Sequence, residues 1–342
     1  MSAGLYFHIP FCKNKCPYCD FFSVKYDVIT ASEYTDKICR EMKKYSGEFD
    51  TIYFGGGTPS IIPAEFIGRI IDCARENFVI LPHSEVTVEC NPSKDLKNDF
   101  ALYKSYGVNR VSIGMQSAVD KERFALGRAS GREQVEACVN YARDAGIDNV
   151  SLDLMIGTPK QSLDSLDYTF DFIEKIKPCH ISAYMLKIEE GTRFYDMKDR
   201  LTLPDDEQTA QMYLKTVKSL EAMGLMQYEI SNFARPGYES RHNTKYWTLE
   251  PYLGIGASAH SFWHGRRFYY DRNMNIIDDG TGGDDEEKIM LGLRLKKGIN
   301  KSLVKKDYSP FVKMGYITEQ GENIALTPEG MLLSNAVICE LI

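Results

Sequence analysis

The chain has 342 residues and a formal net charge of −7, enough for roughly two domains of about 150 residues each and for a sizeable core. Apolar residues make up 43% and charged residues 26%, ordinary globular values, and the mild acidity argues against a general nucleic-acid partner. No run approaches the ~18 apolar residues of a membrane span, and no basic region followed by an apolar stretch opens the chain, so a cytoplasmic protein is expected.

The first apolar run, LYFHIP at 5–10, reads as a strand. It leads into HIPFCKNKCPYCDFF (8–22), where Cys12, Cys16 and Cys19 crowd together. The chain holds nine cysteines, an odd number, and the other six are scattered. That distribution does not suit a disulfide scaffold. Scattered cysteines such as Cys138 are expected as small buried hydrophobes.

Further strand signals follow at 51–56, 85–90, 110–115, 150–157 and 180–186, rich in Val, Ile, Tyr and Thr. Helical patterns lie between them. In 130–146, Val135, Cys138, Val139 and Ala142 share one face, with Ser130 placed to cap the start and Gly146 the end. The segment 162–178 repeats the pattern and stops at Pro178. Six strand–helix units imply a parallel sheet with helical crossovers. Six fall short of a closed barrel of eight, so the expected fold class is α/β, an open partial (β/α)6 barrel. Its chemistry should gather at the C-terminal strand ends, where the polar and glycine-rich stretches HIPFC, GGGTPS, VECNPS, GMQS and DLMIGTP lie.

After residue 200 the rhythm changes. A helix is expected at 205–223, then an irregular stretch, 224–283, with both tryptophans. Residues 284–342 read as a helix, a strand, a tight turn, a strand and a closing helix capped by Thr327 and Pro328. The expected division is 1–200 as core, 201–283 as connecting region, and 284–342 as a small α+β, winged-helix-like module acting as lid or brace.

The cysteine loop admits several readings. Structural zinc wants four ligands, usually in paired cysteines, and no second pair exists; His8 as a fourth ligand would have to leave its strand. A redox pair needs only two thiols. A [4Fe–4S] cluster is held by thiolates, and three of them leave one iron open to an outside ligand. Pro10 and Pro17 stiffen the turn, and Phe11, Phe21 and Phe22 are placed to screen a cluster from water. Tyr18, between two ligands, is positioned to stack on a planar ligand.

Cys-x3-Cys-x-Tyr-Cys at the end of a first strand resembles the signature of the radical S-adenosylmethionine (SAM) superfamily. The resemblance implies that SAM chelates the open iron and that an electron from the cluster cleaves its carbon–sulfur bond, releasing a 5′-deoxyadenosyl radical. It implies a radical SAM-type partial barrel with Cys12, Cys16 and Cys19 as cluster ligands. Gly56, Gly57 and Thr58 in GGGTPS match the motif that holds the methionine amino group. Glu89, Gln116, Arg128 and Asp153 end or follow successive strands. Each alone suits a structural hydrogen bond as well as a ligand contact. Together they match SAM positions of the coproporphyrinogen III dehydrogenase-like group, as does Tyr6; Tyr18 joins the same set.

Within that group two subfamilies differ. The dehydrogenase, which decarboxylates porphyrinogen propionates, has an N-terminal extension and a further cysteine two residues after the third. Here the first cluster cysteine is already residue 12, and position 21 is Phe21. CDFF resembles the heme chaperone family called HemW instead. RHNTKYW (241–247) resembles that family's heme-associated motif, which makes His242, Tyr246 and Trp247 heme contacts; a surface loop with incidental aromatics is the alternative. His260 and His264 are weaker ligand candidates. The resemblance implies heme delivery to respiratory hemoproteins at the membrane, peripheral membrane approach and homodimerisation. It leaves open whether the chain is an enzyme.

Overall fold

Alternation along each central strand decides how the sheet is used. In β1 (Ala3–Ile9), Leu5, Phe7 and Ile9 are fully buried, while Tyr6 and His8 point the other way. The pattern repeats in β2 (Glu48–Gly56), β3 (Val79–Cys90), β4 (Arg110–Gln116), β5 (Asn149–Ile156) and β6 (His180–Met185). Successive side chains face opposite sides of a strand, so one face of the sheet is apolar and the other is lined by Thr51, Tyr53, Glu89, Ser112, Asp153 and Ser182. A parallel sheet covered by helices usually reads as continuous apolar runs. Here the polar face lines a barrel interior and the apolar face meets the helices.

The computed structural model describes residues 2–342. The six strands pair in parallel and in chain order, as the six expected units require. Crossover helices α1 (Val28–Met42), α2 (Ala64–Asn77), α3 (Leu96–Ser105), α4 (Asp120–Ala125), α5 (Arg132–Asp144) and α6 (Leu163–Ile176) cover the apolar face. Helix α5 buries Val135, Cys138, Val139 and Ala142 as its periodicity predicts. Its cap differs: Gly131 is the N-cap, and Ser130 instead accepts hydrogen bonds from Arg123. Ser162 caps α6 in a box with Ser165.

The stretch 224–283, expected to be irregular, extends the sheet at both edges. After α7 (Asp206–Ala222), the hairpin β7 (Met226–Glu229) and β8 (Asn232–Ala234) adds antiparallel to β6. Strand β9 (Tyr252–Ile255) pairs parallel to β1, and β10 (His260–Trp263), β11 (Arg266–Tyr270) and β12 (Ile276–Thr281) continue outward. The result is one open sheet of twelve strands. These additions have short strands broken by polar turns, which masks the period-two signal.

Between the two additions runs α8 (Arg241–Trp247), which fills the N-terminal mouth of the barrel. The Glu85 carboxylate accepts from the Arg241 and His242 amides, both at 3.1 Å, an acid at a helix start as the helix dipole favours. Buried Lys245 pairs with Asp50 at 3.0 Å and Glu250 at 2.8 Å. The C-terminal module carries α9 (Asp285–Gly292), the three-stranded sheet of β13 (Ile299–Asn300), β15 (Asn323–Leu326) and β14 (Ile317–Gln320), and helices α10 (Pro328–Leu332) and α11 (Ser334–Leu341). Thr327 caps α10 by accepting from the Gly330 amide. The module shares the main core, where the Tyr213 hydroxyl of α7 touches the Met331 sulfur.

Candidate functional site

A cavity of ≈ 440 Å³ opens at the C-terminal ends of β1 to β6. Its walls collect Cys12, Cys16, Cys19, Tyr18, Gly56, Gly57, Thr58, Glu89, Gln116, Arg128 and Asp153, drawn together from distant parts of the sequence by the barrel.

The cysteine loop is tied down at its base. The Val24 amide donates to the Pro10 carbonyl at 2.7 Å and Tyr26 to Cys12 at 3.0 Å. Across the loop, the Phe194 amide donates to Pro17 at 2.9 Å. All three thiols are free and half-buried; burial pushes the Cys19 thiol up from its ordinary value, partly offset by a backbone hydrogen bond from Phe21. Among the described residues no group of three or more His, Cys, Asp or Glu side chains could hold a single metal ion. Cys12, Cys16 and Cys19 all line the cavity, and three thiolates are donors that suit a [4Fe–4S] cluster with one iron left for another ligand. Of the three phenylalanines expected to screen it, only Phe21 lines the cavity, and it is 62% exposed. Phe11 is buried edge-on against Tyr34, and Phe22 lies beneath Arg272.

A hydrogen-bonded chain runs round the wall. Cys12 Sγ lies 3.6 Å from Thr58 Oγ1. Thr58 Oγ1 accepts from Asn91 Nδ2 at 3.0 Å, Asn91 Oδ1 accepts from Arg128, and Arg128 Nη2 donates to the Tyr18 hydroxyl at 2.8 Å. Arg128 Nε is buried without a partner, and an orphaned guanidinium donor in a cavity wall suits a ligand carboxylate. Gln116 sits at φ 67°, a strained setting for a residue with a side chain.

Gly56 and Gly57 line the cavity with backbone, yet packing behind them demands their size. A Cβ on Gly56, at φ +109°, would meet the His8 ring at 2.6 Å, and one on Gly57 the Phe11 carbonyl at 2.8 Å. The strand-end motif lets β2 press against the end of β1.

Glu89 and Asp153 are two half-buried carboxylates on one wall. Glu89 accepts from the Tyr53 hydroxyl at 2.8 Å, and Asp153 from Ser112 Oγ at 2.9 Å. Burial, then the Asp153 charge, pushes Glu89 up to about 7; burial likewise raises Asp153. A wall that holds carboxylates above their ordinary range is relieved by a cationic ligand. The ammonium and sulfonium of SAM have that charge.

Tyr6 does not reach the cavity. It lies one layer below, its hydroxyl 3.2 Å from His8 Nδ1. The expected heme contacts also lie elsewhere. His242 is fully buried in the barrel floor, with Nδ1 2.8 Å from Thr51 Oγ1 and Nε2 2.8 Å from the Tyr246 hydroxyl. Neither ring nitrogen is free for iron, and burial lowers the ring to about 3. Trp247 lies under Arg294, whose guanidinium carbon is 4.3 Å from the ring centroid. As helical residues four apart, His242 and Tyr246 meet on one face, so the motif forms the plug. His260 stacks on Tyr269 and His264 meets Trp263 edge-on, outside the cavity.

Arg123 was not legible as part of the site. It is 1% exposed, and its guanidinium donates to the carbonyls of Met115, Ser117 and Ser130 and to Ser130 Oγ. It thereby fixes the end of β4 to the loop that carries Arg128. Arg123→Met should cost about 3 kcal/mol, since it strands buried carbonyls. It should also weaken SAM binding in a titration, because Arg128 loses its anchor. Unchanged affinity would mean that Arg128 positions itself.

A profile of the Radical SAM superfamily matches residues 6–173. The heme chaperone HemW of Bacillus subtilis is 34% identical over 97% of both chains. The chain belongs to the HemW family of heme chaperones. HemW of Escherichia coli K12 is 30% identical, over 98% of this chain and 97% of its own. In fold, the chain is similar to coproporphyrinogen III oxidase (HemN) of Escherichia coli, described as a radical SAM enzyme. That match has a TM-score of 0.85 at 21% identity and covers 99% of this chain and 90% of HemN. HemW membership accords with Phe21 standing where the dehydrogenase pattern has a cysteine. A [4Fe–4S] cluster and SAM are the cofactors that radical SAM membership entails. No helix among the described residues is long and apolar enough to cross a membrane.

Proposed function

We propose that the chain is a heme chaperone: it binds heme, carries a [4Fe–4S] cluster with SAM, and passes heme to hemoproteins. Full-length similarity to HemW proteins carries this reading. Cys12, Cys16 and Cys19 would hold the cluster, which would supply one-electron reducing power beside the SAM site. Arg128, Glu89, Asp153, Thr58, Gln116 and the Gly56–Gly57 backbone bind and orient SAM, with Tyr18 braced by Arg128 beside the cluster loop. Tyr6 acts from behind this shell. The cavity mouth adds apolar surface at Phe21, Tyr184 and Met185, flanked by Lys15 and Lys187. Flat apolar contacts edged by cations suit a porphyrin face and its carboxylates. Respiratory hemoproteins at the membrane are the recipients, reached by a cytoplasmic homodimer that approaches the membrane peripherally. Residues 1–200 carry the cofactor contacts, 201–283 complete the sheet and its floor around them, and 284–342 serve as a brace.

Anaerobic titration of the reconstituted protein with heme tests the reading. One heme should bind per chain and move to an added apo-hemoprotein. Conversion of coproporphyrinogen III to protoporphyrinogen would select the dehydrogenase instead. In the same titration His242→Ala should lower the melting temperature and leave the Soret band unmoved. A displaced Soret band would make His242 an iron ligand after rearrangement of the floor.

A further inference from the structure

Three tyrosines run from the cavity wall into the floor, two of them stacked on each other and the third edge-on to an intervening histidine. Tyr53 lines the cavity, and its ring lies 6.1 Å from that of Tyr6, at 28°. Both flank the His242 ring, at 5.1 and 6.3 Å, and Tyr246 lies 5.3 Å beyond His242. Phenylalanine would pack in such a row equally well. What distinguishes this one is that every phenol has its own base.

Tyr53 donates to the Glu89 carboxylate at 2.8 Å. Tyr6 lies 3.2 Å from His8 Nδ1, and His8 Nε2 lies 3.2 Å from the Phe22 carbonyl. A carbonyl only accepts, so Nε2 carries the proton and Nδ1 receives the Tyr6 hydroxyl. The Tyr246 hydroxyl lies 2.8 Å from His242 Nε2, which accepts when Nδ1–H donates to Thr51. Burial keeps both histidines neutral at neutral pH. Trp247 is different. Its indole N–H is buried with no acceptor, and the Arg294 cation above the ring opposes a positive charge there.

We propose that Tyr53, Tyr6 and Tyr246 form a proton-coupled relay that drains oxidising equivalents from the cavity to the barrel floor. The proposal rests on the cavity being a radical site. The oxidant is a carbon-centred radical in the cavity. It takes one electron from Tyr53 and one proton from a cavity water and leaves as a C–H bond, and the hydroxide left behind is neutralised by the proton that the terminal reductant releases with its electron. The Tyr53 hydroxyl proton passes to Glu89. Tyr6 then returns an electron to Tyr53, which recovers its proton from Glu89, while the Tyr6 proton passes to His8. Tyr246 refills Tyr6 in the same way and gives its proton to His242. A soluble one-electron reductant such as ascorbate restores Tyr246. The relay ends there, and Trp247 takes no part.

The test uses full-length protein and freeze-trapped EPR of phenoxyl radicals in two arms. In one, photoexcited tris(bipyridine)ruthenium with persulfate supplies the oxidising equivalent without any cofactor. In the other, reconstituted protein is reduced with SAM present and heme absent. Tyr53→Phe should cut the photochemical signal to less than half, while Tyr6→Phe and Tyr246→Phe should leave the radical on the last tyrosine still in the relay and so change its hyperfine pattern, all with melting temperatures close to the parent's. Trp247→Phe should leave the signal unchanged. Equal signals from the parent and all three tyrosine variants would overturn the relay. A photochemical arm that behaves as expected beside a silent cofactor arm would sustain the relay and remove the radical reading of the cavity.

Discussion

Cys16→Ser is expected to leave the fold intact and to strip the site of iron. No residue from 12 to 30 is fully buried, and Cys16 belongs to none of the core clusters, so its loss of sulfur opens no cavity in the interior. Serine replaces a soft thiolate with a hard, protonated oxygen, which iron–sulfur clusters do not favour. Iron and sulfide after anaerobic reconstitution should fall from about four each per chain to a small fraction of that. SAM binding should fall with them, since the vacant iron is its principal anchor in this reading. The apo-protein's melting temperature should hardly move, because the anchors of the loop are backbone hydrogen bonds of Pro10, Cys12 and Pro17. Full iron content in this variant would exclude the loop as the cluster's holder.

Glu89→Gln should separate stability from binding. The carboxyl sits at about 7 in the folded chain, raised first by burial and then by Asp153, against 4.5 ordinarily. Between those values the folded state keeps a proton that the unfolded state has released. Stability therefore falls as pH rises through this window and stays low above it. A shift of this size corresponds to about 3 kcal/mol at 1.36 kcal/mol per unit. The amide cannot ionise, and its oxygen can still accept from Tyr53. The variant should thus be more stable than the parent at about pH 8, and its denaturation midpoint should lose this fall between about pH 5 and 8. Affinity for SAM should drop at the same time, because the anionic wall that attracts an ammonium is halved. Urea melts across pH, paired with SAM titration, check both. A variant with the parent's pH slope would place the titrating proton elsewhere, with Asp153 the next group to change.

Legibility followed periodicity. All six central strands were readable because β-branched and aromatic runs end in glycine, proline or polar residues at the same end of each unit. The cysteine loop was readable from spacing alone. What escaped was partnered through space. Arg123 acts through four acceptors brought by the end of β4 and the segments that follow it, and no local pattern marks it. Tyr53 could have been found from the alternation of Thr51, Tyr53 and Gly55, which puts the ring on the inward face. RHNTKYW was legible as a motif and misplaced as geometry. Treated as a helix, its four-residue spacing pairs His242 with Tyr246, which uses up a nitrogen that iron would need. The strands of 224–283 were missed because β8, β9 and β10 have three or four residues each.

The plug α8 enters the barrel more than fifty residues after β6 is complete. On a ribosome, the cavity's upper rim would exist while its base still gaped, with Glu85 and Thr51 facing water. The base of the pocket is thus closed by residues far downstream of the six strands that form its rim, with β9 docked beside β1. Fragments meant to isolate the cofactor-binding part should therefore extend past Ile255.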